Sequence, residues 1–186
     1  MDGVELYHDI FNKIMKKLPK ANAKIILPLL DLKTKLAMHY GINTVRRLSY
    51  FLAQCCHETD GFKVLEEYAS GKNYEGRLDL GNVMKGDGEL FKGRGIIMLT
   101  GRANYTFYGG LIGVYLVKDP QLAADPSIAW IIAAEFWTRK GLNKLADQGK
   151  YTIVTKRING GLNGQTQRVK YLRIFEEILN VRGTSE

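Results

Sequence analysis

Cysteine is scarce in this 186-residue sequence, and the two cysteines that occur, Cys55 and Cys56, are neighbours in the chain. Consecutive residues of a helix point to different faces, so we expect no disulfide between them. The sequence is therefore typical of a protein that folds in a reducing compartment. It also lacks the ligand spacing of a zinc site, and we expect it to need no metal and no other cofactor.

Long apolar runs are missing as well. No stretch reaches the roughly 18 apolar residues that a membrane-spanning helix requires. The first residues, MDGVELYHDIFNK, carry acidic side chains early and lack the apolar core of a secretory signal. We therefore expect the protein to remain in the cytoplasm in which it is made until another component releases it.

Acidic residues are fewer than basic residues. The sequence has 27 Lys and Arg against 19 Asp and Glu, a formal net charge of +8. Such an excess favours contact with a polyanion, whether nucleic acid, anionic lipid, lipopolysaccharide or an acidic wall polymer. Basic residues interleaved with aromatics, and any known nucleic-acid-binding module, are absent, so we do not expect nucleic acid as the partner.

Helical periodicity dominates both ends of the chain. The apolar residues of the first fifty positions follow helical spacing, with Pro19 ending the first helix. Either Asn43 or Thr44 can cap the next helix, TVRRLSYFLAQCCHET, and Asp125 followed by Pro126 predicts the start of another. We predict a final amphipathic helix over residues 165–181.

The middle of the chain differs from both ends. Residues 61–95 contain eight glycines, which indicates turns and hairpins rather than helix. The sequence shows neither a linker nor an internal repeat, and its length fits one domain, residues 1–186. We predict a mainly α fold with a small, glycine-rich, partly β lobe.

The final predicted helix allows two interpretations. Its apolar residues fall on one stripe and its basic residues cluster near its start. The stripe would either pack into the core, which we favour, or disturb an anionic membrane. The stripe consists of Val169, Leu172, Phe175 and Leu179.

Glu58 ends an apolar helix in the stretch FLAQCCHETDGFKVLEEY. It lies three residues after Cys55, at the edge of the apolar stripe, where a carboxyl group is partly removed from water and suited to general acid catalysis. Gly61 then breaks the helix, so that LEEY can return and a second carboxylate can face the first. Two carboxylates on opposite sides of a cleft are the catalytic groups that glycoside hydrolases typically use. Taken alone, Glu58 is more typical of a residue at a helix end than of a catalytic acid, and His57 is typical of a structural histidine.

Several ordered motifs resemble glycoside hydrolase family 19, and in particular its phage endolysins and chitinase-like lysozymes. They are HETDGFKVLEEYASGKNYEGRLDLGN, GDGELFKGRGIIMLTGRANY, ADPSIAWIIAAEFWTRKGLN and INGGLNGQTQR. The resemblance as a whole covers roughly residues 45–170. The resemblance implies a lysozyme-like helical domain, and from the sequence itself we expect no separate wall-binding module. It also implies cleavage, with inversion, of β-1,4 bonds between N-acetylated amino sugars.

The resemblance also implies residue roles. Glu58 matches the general acid and Glu67 the general base, with Glu66 and Glu75 as the alternatives for the second carboxylate. Thr100 matches the hydroxyl residue that helps to hold the attacking water. By the same match, Asn104, Asn159 and Arg168 would bind substrate. Apart from the resemblance, Tyr105 could offer a face on which a sugar stacks, although its helical spacing is as typical of a core residue.

One position departs from the family pattern. Met98 stands where the family usually has glutamine in the GRG-x-I-Q-L-[ST] motif, so an amide that would contact sugar is replaced by an apolar thioether. This change concerns one sugar contact and leaves the acid and base in place.

We expect a phage-type endolysin that acts as a monomer on the glycan strands of bacterial peptidoglycan and causes lysis of the host cell. Its basic surface suggests an additional contact with the anionic outer membrane. Two alternatives stay open: a chitinase that acts on polymers of N-acetylglucosamine, and a catalytically inactive binding protein.

Overall fold

The computed structural model describes residues 3–179, and the side chains of residues 9–179. The chain divides into two compact units. The first, called the terminal unit here, comprises Met1–Lys63 and Ala134–Glu186, and the second, the central unit, comprises Val64–Ala133.

Helices make up most of the part of the chain that the structure describes, which confirms the prediction of a mainly α fold. The α-helices there are α1 Gly3–Lys17, α2 Ala23–Ile26, α3 Pro28–Met38, α4 Val45–Glu58, α5 Asp87–Leu90, α6 Arg102–Ile112, α7 Pro126–Arg139, α8 Leu142–Asp147, α9 Tyr151–Asn159 and α10 Gln165–Ile178. Short 3₁₀ turns occupy Lys72–Tyr74, Leu78–Leu80 and Pro120–Ala124.

The packing of α4 against α10 forms the centre of the terminal unit. Helix α4 begins where the Thr44 hydroxyl accepts the Arg47 amide at 3.2 Å, so Thr44 rather than Asn43 is its cap. Its apolar stripe is buried, and both cysteines are buried free thiols, as predicted. Of the stripe of α10, Leu172 and Phe175 are buried and Val169 and Leu179 are half-buried, which supports the core-packing interpretation. The predicted end of this helix at residues 180–181 lies outside the described residues.

The chain turns sharply after α4. Asp60, Gly61 and Phe62 are three consecutive residues with positive φ, at 50°, 80° and 58°. A positive φ costs a residue with a side chain roughly 1–2 kcal/mol. Two local features stabilise this turn. The Thr59 hydroxyl donates to the Cys55 carbonyl at 2.7 Å and accepts the Phe62 amide at 3.1 Å. The Phe62 ring is fully buried. Gly61 therefore breaks the helix as predicted, although its neighbours share the strain.

The central unit holds the glycine-rich segment. Its β character, within the described residues, is limited to two isolated antiparallel bridges that join Arg94 to Glu66 and to Leu99. Glycines with left-handed backbone, such as Gly95 with φ 79°, interrupt any longer ladder. In Gly95 a side chain would also collide with the Ala123 carbonyl oxygen, 2.7 Å from the site of a Cβ.

Asp125 caps α7 as the sequence predicts, because its carboxylate accepts the amides of Ser127 at 3.0 Å and Ile128 at 3.1 Å. Every helix within residues 3–179 is too short or too polar to cross a membrane.

A buried ion pair ties α5 to α6 in the central unit. Arg102 donates to both carboxylate oxygens of Asp87, at 2.6 and 2.9 Å, and the Asp87 side chain is 1% exposed. This contact with Arg102 holds the pKa of Asp87 below its usual value. Because Asp87 also accepts the Met84 amide at 3.0 Å, it fixes the turn that precedes α5.

We predict that Asp87→Ala lowers the free energy of unfolding by about 2–3 kcal/mol, because it leaves the part-buried Arg102 without its partner. The matched control is Asp79→Ala, which removes a similar two-bond contact with Arg77 on the exposed surface. We expect this control to leave the unfolding midpoint unchanged, since exposed pairs contribute little. Urea unfolding followed by circular dichroism measures both, and equal effects would contradict the assignment.

Candidate active site

Glu58 lies on the last turn of α4, in the terminal unit, as the sequence predicts. Its side chain is 24% exposed, and Oε1 accepts a hydrogen bond from Nη2 of Arg168 at 2.6 Å. Arg168 comes from the first turns of α10, and its own side chain is 2% exposed. The carboxylate is therefore fixed from beneath by a buried guanidinium while part of its surface reaches solvent.

Every nitrogen of the Arg168 guanidinium has a partner. Besides Glu58, it donates to the side-chain oxygen of Gln54 and, at 3.2 Å, to the carbonyl of Asn163. Gln54 in turn donates to the Thr155 hydroxyl at 2.9 Å. A buried cation is tolerated only when its donors are satisfied in this way. The prediction that Arg168 binds substrate is therefore wrong, because the side chain is enclosed and serves to position Glu58.

His57 adjoins the same cluster. Its ring packs against Gly164, so closely that a Cβ on this glycine would lie 2.2 Å from Cε1 of the ring. Burial, and then the charge of Arg168, lower the pKa of His57 below its usual value of 6.5. The ring is thus a packing element under the loop before α10, in agreement with the structural role expected of it.

Glu67 lies in the central unit, where Gly93 holds it twice. The Glu67 amide donates to the Gly93 carbonyl at 2.9 Å, and the Gly93 amide donates to Oε1 of Glu67 at 2.5 Å. The Tyr74 hydroxyl donates to Oε2 at 3.0 Å. Burial and this contact with the carboxylate raise the pKa of Tyr74. Both oxygens of Glu67 are thereby held in fixed positions.

The Thr100 hydroxyl lies near the carboxylate of Glu67. A Cβ built on Gly93 would lie 3.3 Å from Oε1 of Glu67 and 3.4 Å from Oγ1 of Thr100, so the two oxygens converge on this glycine. Thr100 donates to the Met98 carbonyl at 2.8 Å, and Met98 has a left-handed φ of 50°. The structure therefore brings together the predicted base and the predicted water-holding hydroxyl.

The two alternative carboxylates have other partners. Glu66 forms ion pairs with Lys92 at 2.7 Å and with Arg94 at 3.7 Å. Glu75 accepts the amides of Gly86 at 2.7 Å and Gly88 at 2.8 Å, and so closes a loop. Both environments stabilise structure, which favours Glu67 over Glu66 and Glu75 as the second functional carboxylate.

The predicted sugar contacts divide into exposed and buried residues. Asn104 is exposed on α6 and donates to the Thr100 carbonyl at 2.7 Å, while Asn159 is exposed at the end of α9. Tyr105 is fully buried, its ring meets Phe91 edge-on, and its hydroxyl donates to the Lys92 carbonyl at 2.7 Å. The prediction that Tyr105 binds sugar is therefore wrong, since it has no free face.

Sequence reasoning missed two residues of the site: Gln54, which accepts a hydrogen bond from Arg168, and Tyr74, which donates to Glu67. Gln54 lies one turn before Glu58. Because it is a polar residue inside the apolar stripe of α4, its position in the sequence could have predicted a buried polar contact. Tyr74 sits in a glycine-rich segment, where the sequence carries no signal of its contact with Glu67. Within the described residues, no group of three or more His, Cys, Asp or Glu side chains could hold a metal ion.

The arrangement provides two oriented carboxyl groups, each fixed by neutral or cationic donors, together with a hydroxyl beside one of them. Such groups can exchange protons with a bound substrate and with water. The two carboxylates belong to different compact units, and the expectation that they face each other across a cleft stays a prediction.

Comparison with known proteins gives a consistent result. A family model described as chitinase class I, of glycoside hydrolase family 19, matches residues 40–158. A glycosyl hydrolase family 19 domain-containing protein of Haemophilus influenzae is 30% identical over 154 residues, which cover 66% of this chain and 75% of that protein. An endochitinase of Arabidopsis thaliana is 33% identical over 126 residues, or 67% of this chain, and the match spans only 43% of the plant protein.

The fold has solved counterparts. The crystal structure of chitinase C from Streptomyces griseus HUT6037 superposes with a TM-score of 0.74, covers 91% of each chain and is 22% identical in sequence. At that identity the likeness establishes the fold, and the mainly helical, chitinase- and lysozyme-like architecture expected from the sequence is confirmed.

We predict that Gly164→Ala destabilises the protein by roughly 3 kcal/mol, since the new methyl group collides with the His57 ring and the backbone has φ 71°. Gly160→Ala is the matched control, because Gly160 has a similar φ of 75° and no atom within 4 Å of the added carbon. It should cost only the backbone strain, about 1 kcal/mol. Thermal unfolding compares the two, and equal losses would show that the His57 contact is unimportant.

We also predict a pH effect from His57. Above about pH 6.5 the histidine is neutral in both the folded and the unfolded chain, and its contribution to stability is complete. Because its folded pKa is lowered, only the unfolded chain takes up the proton as the pH falls below 6.5, and stability is lost. His57→Gln should therefore show a smaller fall in unfolding temperature between pH 7 and pH 5. His39→Gln, at an exposed position after α3, is the control, and an unchanged slope for His57→Gln would contradict the prediction.

Proposed function

The chain belongs to glycoside hydrolase family 19, and on that premise we propose that it is an endolysin that hydrolyses β-1,4 bonds in the glycan strands of bacterial peptidoglycan. The observation that carries the proposal is the pair of oriented carboxyl groups at the family's positions. Glu58 is held by Arg168, and Glu67 is held by Gly93 beside Thr100.

In the proposed mechanism Glu58 is the general acid. Arg168 holds Oε1, so the carboxyl group keeps one orientation, and the other oxygen carries the proton to the oxygen of the leaving sugar. The glycosidic bond then breaks without forming an unprotonated alkoxide, and Glu58 is left as the carboxylate. Arg168 stabilises this product charge at 2.6 Å.

Glu67 is the proposed general base. Its oxygens are fixed by Gly93 and Tyr74, and the Thr100 hydroxyl lies next to it, so a water molecule held by both has a defined direction of attack. That water attacks the anomeric carbon on the face opposite the leaving group and gives its proton to Glu67. A single displacement of this kind inverts the configuration at the anomeric carbon.

Charge supports peptidoglycan as the substrate, because the chain has a net charge of +8 and the peptide branches of peptidoglycan carry carboxylates, whereas chitin is neutral. The alternative substrate is chitin itself. It is favoured by the names of several relatives, which are endochitinases of plants. Both polymers share the β-1,4 amino-sugar backbone on which the acid and base would act.

The proposed cellular role follows from the substrate. The protein would accumulate in the cytoplasm of the host, act as a monomer on the periplasmic wall after release, and bring about lysis of the cell. Its basic surface would add an attraction to anionic groups of the outer membrane.

We predict that Glu58→Gln lowers kcat by about 10²–10⁴-fold on purified peptidoglycan, because glutamine keeps the shape of the acid but has no proton to give. The control is Glu66→Gln, which changes the neighbour of the proposed base and should retain activity within about tenfold. Release of reducing ends from sacculi and from colloidal chitin is the measurement.

Three results would revise this proposal. Full lytic activity of Glu58→Gln would indicate a binding protein rather than an enzyme. Hydrolysis of chitin without hydrolysis of sacculi would replace the peptidoglycan substrate with chitin. A greater loss in Glu66→Gln than in Glu67→Gln would move the base to Glu66.

A further inference from the structure

The positive charge of the protein is distributed unevenly between its two units. Residues 64–133, the central unit, contain seven Lys and Arg against eight Asp and Glu. The remainder of the chain, which forms the terminal unit, contains twenty against eleven. The whole excess of positive charge therefore belongs to the terminal unit.

Within the terminal unit, one segment, residues 140–157, concentrates exposed basic side chains with little acidic charge. We call it the α9 basic face; it consists of Lys140, Lys144, Lys150, Lys156 and Arg157, at the end of α7 and on α8 and α9. Arg157 donates to the Lys140 carbonyl at 3.1 Å, which places the end of α7 beside α9. Between residues 139 and 173 the sequence has one acid, Asp147, and Arg47 pairs with it at 2.6 Å.

The α9 basic face and Glu58 belong to the same unit, and the end of α9 with the loop after it connects them. Lys156 lies one helical turn before Asn159, the exposed asparagine at the end of α9 that matches a sugar-binding residue of the family. The loop that follows contains Asn163, whose carbonyl accepts a hydrogen bond from Arg168, the residue that holds Glu58. A glycan strand bound at Asn159 would therefore run next to this basic surface.

We propose that the α9 basic face binds the carboxylates of the acidic peptide branches of peptidoglycan, and so favours this polymer over neutral chitin. The inference rests on the proposed function, since it assigns the part of the substrate that lies beyond the sugar backbone. Charge complementarity is its physical basis. Each exposed pair contributes a modest amount, is weakened by salt and adds to its neighbours when branches recur along a strand.

The composition of α9 favours a polymer over a membrane as the partner. A helix that lies on a bilayer presents a broad apolar face to the lipid. The apolar residues Tyr151 and Val154 of α9 are buried in the protein, and among its described residues only Ile153, 41% exposed, is a large apolar side chain at the surface. The exposed side of α9 is thus polar and basic, as contact with a hydrated anionic polymer requires.

The experiment compares two triple variants in the Glu58→Gln background, so that binding is measured without hydrolysis. One carries Lys144→Gln, Lys150→Gln and Lys156→Gln, and retains Arg157 because its side chain holds the end of α7. The control carries Lys16→Gln, Lys20→Gln and Lys35→Gln, three exposed lysines elsewhere in the terminal unit with the same total change of charge. Cosedimentation with purified sacculi gives the dissociation constants.

At low ionic strength we expect the first variant to bind sacculi roughly tenfold more weakly than its parent, and the control within about twofold. The difference should shrink in about 0.5 M salt, and it should vanish with sacculi whose carboxylates have been converted to amides. Binding to chitin particles should be the same for all three proteins.

Equal weakening in both triple variants would overturn the inference, since net charge rather than this surface would then be responsible. A difference that survives amidation, one that appears only with vesicles of anionic lipid, or a parent that does not bind sacculi would overturn it as well. The proposed function is tested separately by hydrolysis of the same sacculi with Glu58 intact. Binding that depends on the α9 basic face without such hydrolysis would contradict the function alone.

Discussion

The contact between the buried guanidinium of Arg168 and the carboxylate of Glu58 is the interaction on which the terminal unit depends. A cation that is 2% exposed must be surrounded by acceptors, or it would destabilise the fold. The acceptors come from α4, through Glu58 and Gln54, and from the loop before α10, through Asn163. The need to satisfy one charge therefore fixes the packing of α4 against α10 and the orientation of a functional carboxyl group at once.

The central unit fixes its carboxylate by a different means. Glu67 is held by a backbone amide and a tyrosine hydroxyl, while its neighbour Glu66 takes the ion pairs with Lys92 and Arg94. Adjacent residues in an extended segment point to opposite sides, so one carboxylate can stabilise structure while the other stays near Thr100. Neutral donors suit a group that is to receive a proton, just as the arginine suits a group that is to end the reaction as an anion.

Local sequence signals predicted most of the fold and only part of the site. Helical spacing and capping residues predicted that α4 starts after Thr44 and α7 after Asp125. This was possible because a cap is a contact between residues close in sequence. The roles of Arg168 and Tyr105 were mispredicted, since whether a polar side chain is buried depends on residues more than ten positions away. Glu66 and Glu67 could not be separated from sequence, because their difference arises from contacts with residues 92–94.

The kinetics of Arg168→Lys would test the central claim most directly, with thermal unfolding to show that the variant is folded. Lysine keeps the charge but cannot reach Glu58, Gln54 and Asn163 together. If Arg168 acts by positioning the acid, kcat should fall by roughly 10²-fold while KM stays within about twofold. A raised KM with an unchanged kcat would contradict the account, because it would mean that Arg168 binds the substrate itself.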